Sequence, residues 1–226
     1  MRHPVFILAM LLLAPVTTYA VTPYITFNGG LNTYAMPEAN DIVDDLNLAI
    51  DGSDTDKIHD GFQIGAGVGL MTADFFTLEL SIAHLSCKTG SDEPGSSMYF
   101  DIPATVIMLR TLAPLTKGSK VTPLIGAGMG SIHTGGSLSF RQADETFSYN
   151  LSGTSFYFEG TLGFDVECAR GKCVELAVGY RQAKINRVQP SSWREDFPDY
   201  GGIDLDYSGM TARIAVRLFL VPDNND

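Results

Sequence analysis

The stretch "VTPLIGAGMGSIHTGG", residues 121 to 136, places Gly126, Gly128 and Gly130 at every second position, with Ile125, Ala127 and Met129 between them. In a helix these glycines would scatter around the cylinder and each would weaken it; in a strand they share one face and the apolar residues line the other. The stretch therefore reads as a strand with one nearly empty face. Such a face suits a place where opposing walls crowd together, as inside a narrow closed barrel.

The rest of the chain repeats this period of two. Residues 62 to 70 put Phe62, Ile64, Ala66, Val68 and Leu70 on one face against Gln63 and three glycines. Residues 76 to 82 alternate Phe76, Leu78, Leu80 and Ile82 with Thr77, Glu79 and Ser81, and residues 156 to 166 and 211 to 219 alternate in the same way. With further strands near 23 to 33, 98 to 112 and 173 to 186, about eight strands are predicted, each close to or longer than the roughly 9 to 11 residues that cross a bilayer. Long polar segments near 34 to 59, 89 to 97, 139 to 153 and 187 to 205 alternate with short turns near 73 to 75, 113 to 119 and 169 to 172. Long loops at one end and short turns at the other are the layout of an outer-membrane barrel with both termini on the periplasmic side. A soluble ligand-binding barrel would carry its apolar face inside, whereas here glycines and charges share a face. The apolar face is therefore assigned to lipid and the glycines to the lumen. The fold class is all-β, a closed antiparallel transmembrane β-barrel of about eight strands.

The first twenty residues, "MRHPVFILAMLLLAPVTTYA", have a basic start, an apolar core and small residues before Val21, which reads as a signal peptide. Residues 21 to 226 then form one barrel domain, destined for the bacterial outer membrane. Without Arg2 the balance is 14 basic against 26 acidic residues, or −12, which argues against nucleic acid as a partner. Export places Cys168 and Cys173 where a disulfide can persist. A three-residue hairpin loop over Ala169, Arg170 and Gly171 would turn the two thiols to opposite faces, and a four-residue turn would set them opposite each other. A bond between them is the expectation, with Cys87 free.

"TPLIGAGMG" at 122 to 130 and "GTLGFDVECARGKCVELAVGYR" at 160 to 181, ending in Tyr180 and Arg181, resemble the OmpA-type membrane domain and, more narrowly, the opacity-protein and surface-antigen families of small bacterial barrels. The resemblance implies a surface-exposed barrel whose loops meet partners, with no small-molecule chemistry in common and no cofactor.

No catalytic or metal site is expected. "DGSDTD" at 51 to 56 offers oxygen ligands but lacks the closing glutamate of a calcium loop, and a solvated acidic loop is the preferred reading. Within that loop Ile42, Val43, Leu46 and Ala49 fall at helical spacing and predict a short amphipathic helix over 39 to 49, placed to cap the barrel mouth or dock on a partner. His84 and Ser86, two apart at a strand end, match a His-x-Ser pair used by lipid A deacylases, but lack a third member; an interfacial polar pair is preferred. Glu79, Asp101, Glu159, Arg181, Arg213 and Arg217 are assigned to the lumen as a charge network that plugs it. In the three-residue register Val166 meets Val174, Phe164 meets Leu176, Leu162 meets Val178, and Glu159 meets Arg181 as a close pair. The function expected is structural and surface-interacting, antigen- or adhesin-like, through the long acidic loops. A narrow diffusion channel and a lipid A hydrolase are the alternatives. The partners expected are outer-membrane lipids and lipopolysaccharide, and a host or envelope protein at loops 34 to 59 and 187 to 205.

Overall fold

The computed structural model describes residues 21–49, 54–72, 76–93, 96–116, 120–142, 145–169, 171–188 and 202–220. The signal-peptide reading, the first half of "DGSDTD" and most of the segment 187 to 205 lie outside the described residues. The elements are β1 (Val21–Thr33), α1 (Pro37–Ala49), β2 (Asp60–Thr72), β3 (Thr77–Leu85), β4 (Lys88–Glu93), β5 (Ser96–Asp101), β6 (Ala104–Pro114), β7 (Val121–Gln142), β8 (Glu145–Ala169), β9 (Lys172–Gln182), β10 (Lys184–Val188), β11 (Ile203–Asp206) and β12 (Gly209–Phe219). Strands β1, β2, β3, β6, β7, β8, β9 and β12 pair antiparallel into a closed ring, with β12 on β1 and β7 on β8 completing it. Closure leaves these strands no free edge, so every backbone group in the wall has a partner without water.

The outer wall is apolar from end to end of the ring. Leu31, Phe62, Ile82, Met129, Phe158, Leu162, Val178 and Ile214 all lie exposed on it. A soluble monomer would not carry so continuous an apolar surface, and lipid accounts for it. Among the described residues no helix is long and apolar enough to cross a membrane.

The glycine row lies as read. Ile125 and Met129 are exposed on the outer wall, while Cβ atoms added at Gly126 and Gly128 would stand 2.3 Å from Leu112 Cδ2 and 2.5 Å from Met108 Sδ, and one at Gly130 would meet the Ile107 carbonyl at 1.9 Å. Inside, Leu112 and Met108 of the neighbouring strand lean into the space that the glycines leave.

The polar segments 89 to 97 and 139 to 153 are not loops. The pairing of β3 with β6 continues without slip into that of β4 with β5, and β5 lies end to end with β6 along β7. Four barrel strands thus run on past the membrane as one four-stranded sheet. Met98, Phe100, Leu138, Phe140, Tyr149 and Leu151 turn inward and are buried, and the inward Thr89 and Ser91 of β4 hydrogen-bond the Asp56 carbonyl and Thr55. Period-two burial above the bilayer is what the polar composition had hidden.

At the end of the barrel where β1 begins and β12 ends, Val166 pairs with Val174, Phe164 with Leu176 and Leu162 with Val178, as the register predicts. The pairing slips by one between Glu167 and Ala169, so Cys168 sits in a bulge, and Gly171 takes φ 72° in the turn. The expected disulfide is not formed. Cys168 is exposed, Cys173 is buried toward the lumen, and both are free thiols, as is the buried Cys87. Burial pushes the Cys87 thiol up to about 12. A maleimide should therefore label Cys168 alone in the folded protein, and all three cysteines after unfolding; protection of Cys168 without reductant would point instead to the bond.

Candidate functional site

Two stacked features fill the space inside and above the ring. The lower one is a charge network in the lumen. Glu175, on β9 and fully buried, accepts from Arg110 at 2.8 Å, from Arg213 at 2.9 Å and from Arg217. Glu79 accepts from Arg110 at 2.9 Å and from the Tyr24 hydroxyl at 3.1 Å. Arg217 also reaches Asp165 and lies over the Tyr24 ring, 5.6 Å from its centroid. Higher up, Glu159 accepts from Arg213 at 3.5 Å, from Thr161 at 3.1 Å and from the Tyr157 hydroxyl. Among the described residues the lumen thus sets four carboxylates, Glu79, Glu159, Asp165 and Glu175, against four arginines, Arg110, Arg181, Arg213 and Arg217. Balanced signs with shared hydrogen bonds are what allow so many charges to leave bulk water.

The network differs from the sequence reading in three respects. Arg110, Glu175 and Asp165 belong to it and were missed. Asp101 does not belong: it is exposed on the outward face of β5, because Phe100 and Ile102 on either side of it are buried inward. Glu159 and Arg181 are direct cross-strand neighbours as expected, yet they do not form the expected close pair. Arg181 instead points up, with Nε donating to the Tyr207 carbonyl at 2.8 Å, Nη1 donating to Asn32 Oδ1 at 3.2 Å, and its guanidinium 5.4 Å from the Tyr34 ring centroid. A carbonyl, an amide and a ring face compete successfully with the carboxylate that Arg213 already partners. Between the network and the upper core, among the described residues, lies a void of about 10 Å³, lined by Gln63, Ser81, Tyr157 and Arg213 among others. That is room for about one water.

The upper feature is a hydrophobic cap over the mouth. Helix α1 starts on Pro37, with Glu38 in its first turn, both favourable at a helix N-terminus. It buries Ala39, Ile42, Val43 and Leu46 in one core with Ile58, Met98, Phe100, Ile185, Ile203 and Leu205 and packs on β11, so the predicted helix exists and turns its stripe down onto the mouth. Two asparagines hold the returning chain. Asn40 Nδ2 donates to the Ile58 carbonyl at 3.1 Å while its Oδ1 accepts from the Ile58 N–H at 2.7 Å, and Asn47 makes the same reciprocal pair with Thr55 at 2.9 and 3.0 Å. Asn40→Ala should leave both Ile58 backbone groups unpaired, a loss of roughly 1 to 3 kcal/mol per group, seen as faster amide exchange over 55 to 58 with the barrel strands unchanged. Tyr207 is the cap's keystone. Its hydroxyl donates to the Ile102 carbonyl at 2.7 Å and lies 2.7 Å from Thr134 Oγ1, and its ring stands edge-on to Tyr34 at 5.9 Å.

On its outer surface the cap is acidic. Glu38, Asp41 and Asp45 rise from one side of α1 over an open cleft of about 630 Å³, whose other wall is Arg187, Gly202 and Asp204. Glu38 accepts from the Asp204 N–H at 2.7 Å, and Asp204 pairs with Lys184 at 2.7 Å. That pairing holds the Asp204 carboxyl below the usual carboxylate range. His84 lies exposed on the outer wall and Ser86 half-buried just beyond the end of β3, its carbonyl accepting from the Tyr34 hydroxyl at 2.9 Å. Among the described residues no hydrogen bond joins His84 to Ser86, and no group of three metal-ligating side chains assembles.

The architecture is that of small outer-membrane β-barrels. The crystal structure of Neisserial surface protein A superposes with a TM-score of 0.51 over 88% of this chain and 98% of that one, at 12% identity. OprG of Pseudomonas aeruginosa gives 0.46 over 87% and 95% at 17% identity. Ail of Yersinia pestis, in complex with the heparin analogue sucrose octasulfate, gives 0.43 over 88% and 96% at 12% identity. No family model matches the chain, and no curated protein matches it in sequence.

Proposed function

We propose that this protein is a plugged outer-membrane barrel that presents a rigid acidic cap at the cell surface, acting by contact rather than by conduction or catalysis. The observation that carries this reading is the filled interior: a balanced charge network, a void of about 10 Å³ and, above it, a packed apolar cap. About eight strands enclose just enough room for side chains, and here side chains occupy it. The acidic row of α1 and the balance of −12 over residues 21 to 226 favour a basic protein segment, from a host or from the envelope, over a polyanion such as the heparin analogue bound by Ail. Outer-membrane lipids and lipopolysaccharide would surround the belt.

The experiment is conductance in planar bilayers together with binding of basic peptides to barrels in detergent. No ion current above the bare bilayer is expected from the wild type, and the triple variant Glu38→Gln, Asp41→Asn, Asp45→Asn should weaken peptide binding and its salt dependence together. Steady single-channel current from the wild type would favour the diffusion-channel alternative. Peptide binding unmoved by the triple variant would remove the cap as the contact surface.

A further inference from the structure

The four strands that continue above the membrane change character twice on their outward face. Within the belt they carry Leu80, Ile82, Ile107, Leu109, Met129 and Phe158, all exposed. One register row above Ile82 and Ile107 the apolar run ends in His84, Thr105, His133 and Thr154, side by side on β3, β6, β7 and β8. The His133 Nδ1 and Thr154 Oγ1 atoms lie 2.7 Å apart. These imidazoles and hydroxyls mark where the outward apolar run of these four strands ends, and the row contains no carboxylate. On β2, which pairs with β3, the apolar run continues through Ile64, in register with His84, and Phe62 before it reaches Asp60, which pairs with Thr33.

Above the row the outward face becomes a flat field of short polar side chains around one aromatic ring. Tyr99 is 45% exposed and lies over Gly90 of β4, where an added Cβ would come within 2.6 Å of ring Cδ1. In register beside it stand Ser139 and then Ser148, with Asp101 and Arg141 in the flanking rows. The other side of this sheet is the buried cap core, so the platform is preformed and binding need not order it. A ring lying flat among hydroxyl, carboxylate and guanidinium groups suits the apolar face and hydroxyl rim of a sugar.

We infer that this wall binds the acylated, phosphorylated saccharide of the outer leaflet, lipopolysaccharide, along its length. Acyl chains lie on the Ile82, Ile107 and Met129 surface, a headgroup phosphate accepts hydrogen bonds from His84, His133 and the threonines between and beside them, and core sugars stack on Tyr99. The three surfaces follow one another along the same run of paired strands in the order acyl chain, phosphate, sugar. The inference rests on the membrane orientation of the reading above and not on conduction or on the partner at the cap.

The test is titration of the folded barrel in detergent with lipopolysaccharide, with lipid A stripped of its core sugars, and with phosphatidylglycerol of matched chain length. The double variant His84→Ala, His133→Ala should weaken lipopolysaccharide and lipid A alike, by about tenfold. Tyr99→Ala should weaken lipopolysaccharide only, with Tyr99→Phe close to wild type, and Ile214→Ala on the opposite wall should change nothing. Folding of each variant is checked by its shift on a gel before and after boiling; should Tyr99→Ala not fold, Ser139→Glu, which obstructs the same platform, takes its place with the same expectation. Wild-type binding of phosphatidylglycerol as tight as that of lipopolysaccharide, or variants on this wall that bind like wild type, would overturn the inference. Conductance by the wild type would sink the plug and leave this result untouched.

Discussion

Glu175→Ala should unfold the barrel at a markedly lower urea concentration, with a loss of about 3 to 5 kcal/mol, the cost of stripping the partner from a buried charge. Among the described residues Glu175 is the one carboxylate that touches Arg110, Arg213 and Arg217 together. Its removal leaves three guanidiniums around a cavity, with Glu79, Glu159 and Asp165 each already committed to one of them. Glu175→Gln keeps the shape and removes the charge, so it separates the two contributions. Its midpoint should fall between those of wild type and the alanine variant. If Glu175→Ala retained the wild-type midpoint, the network would be decoration on a barrel held by its backbone alone. Glu159→Ala should cost less, because Tyr157 and Thr161 would lose an acceptor but Arg213 would keep Glu175.

The second large effect is expected at Tyr207. Truncation to alanine removes a buried aromatic side chain, roughly 3 to 5 kcal/mol in comparable cores, and takes the hydroxyl from the Ile102 carbonyl and from Thr134. This cost falls on the cap rather than on the barrel, because the ring of eight strands closes below it. Limited proteolysis should therefore cut within 34 to 59 in Tyr207→Ala while the membrane-embedded strands stay protected and the gel shift on boiling persists. Wild-type resistance in that segment would show that the cap does not depend on its centre. Since the cap and the lumen network are separate seals, Tyr207→Ala alone should leave bilayer conductance unchanged.

Much of this arrangement was legible from alternation alone. The glycine row follows from period two, and the lipid-facing pairs of β8 and β9 and the Glu159–Arg181 register match the count, although the turn itself differs: Ala169 and not Cys168 pairs with Lys172, and a bulge at Cys168 restores the register. Glu175 shares the parity of Arg181 on β9 and was within reach of the same count. Arg110 was harder, because "ATVIMLRTL" is apolar on both faces and its parity says nothing until a partner strand is fixed. Once Arg110 is inward, Asp101 must point outward, since the two differ by an odd number of residues on a strand whose register does not slip. What no local pattern could provide was the choice Arg181 makes between Glu159 and the Tyr207 carbonyl. That carbonyl arrives from a segment 26 residues away in sequence. The strands beyond the apolar belt were lost for a different reason: serine, threonine and asparagine on one face outweigh, in composition, the aromatic residues on the other.

The unbroken register from β3 into β4 and from β6 into β5 also fixes a length. From Thr134 to Gln142 the β7–β8 hairpin climbs nine residues beyond the apolar belt, about 30 Å along the strand at ~3.4 Å per residue. With a tilt near 40° this is roughly 20 Å of height above the acyl layer. The sheet is therefore a mast: it lifts one flank of the protein to a fixed elevation above the belt, and in the proposed orientation anything that approaches from outside meets that flank first.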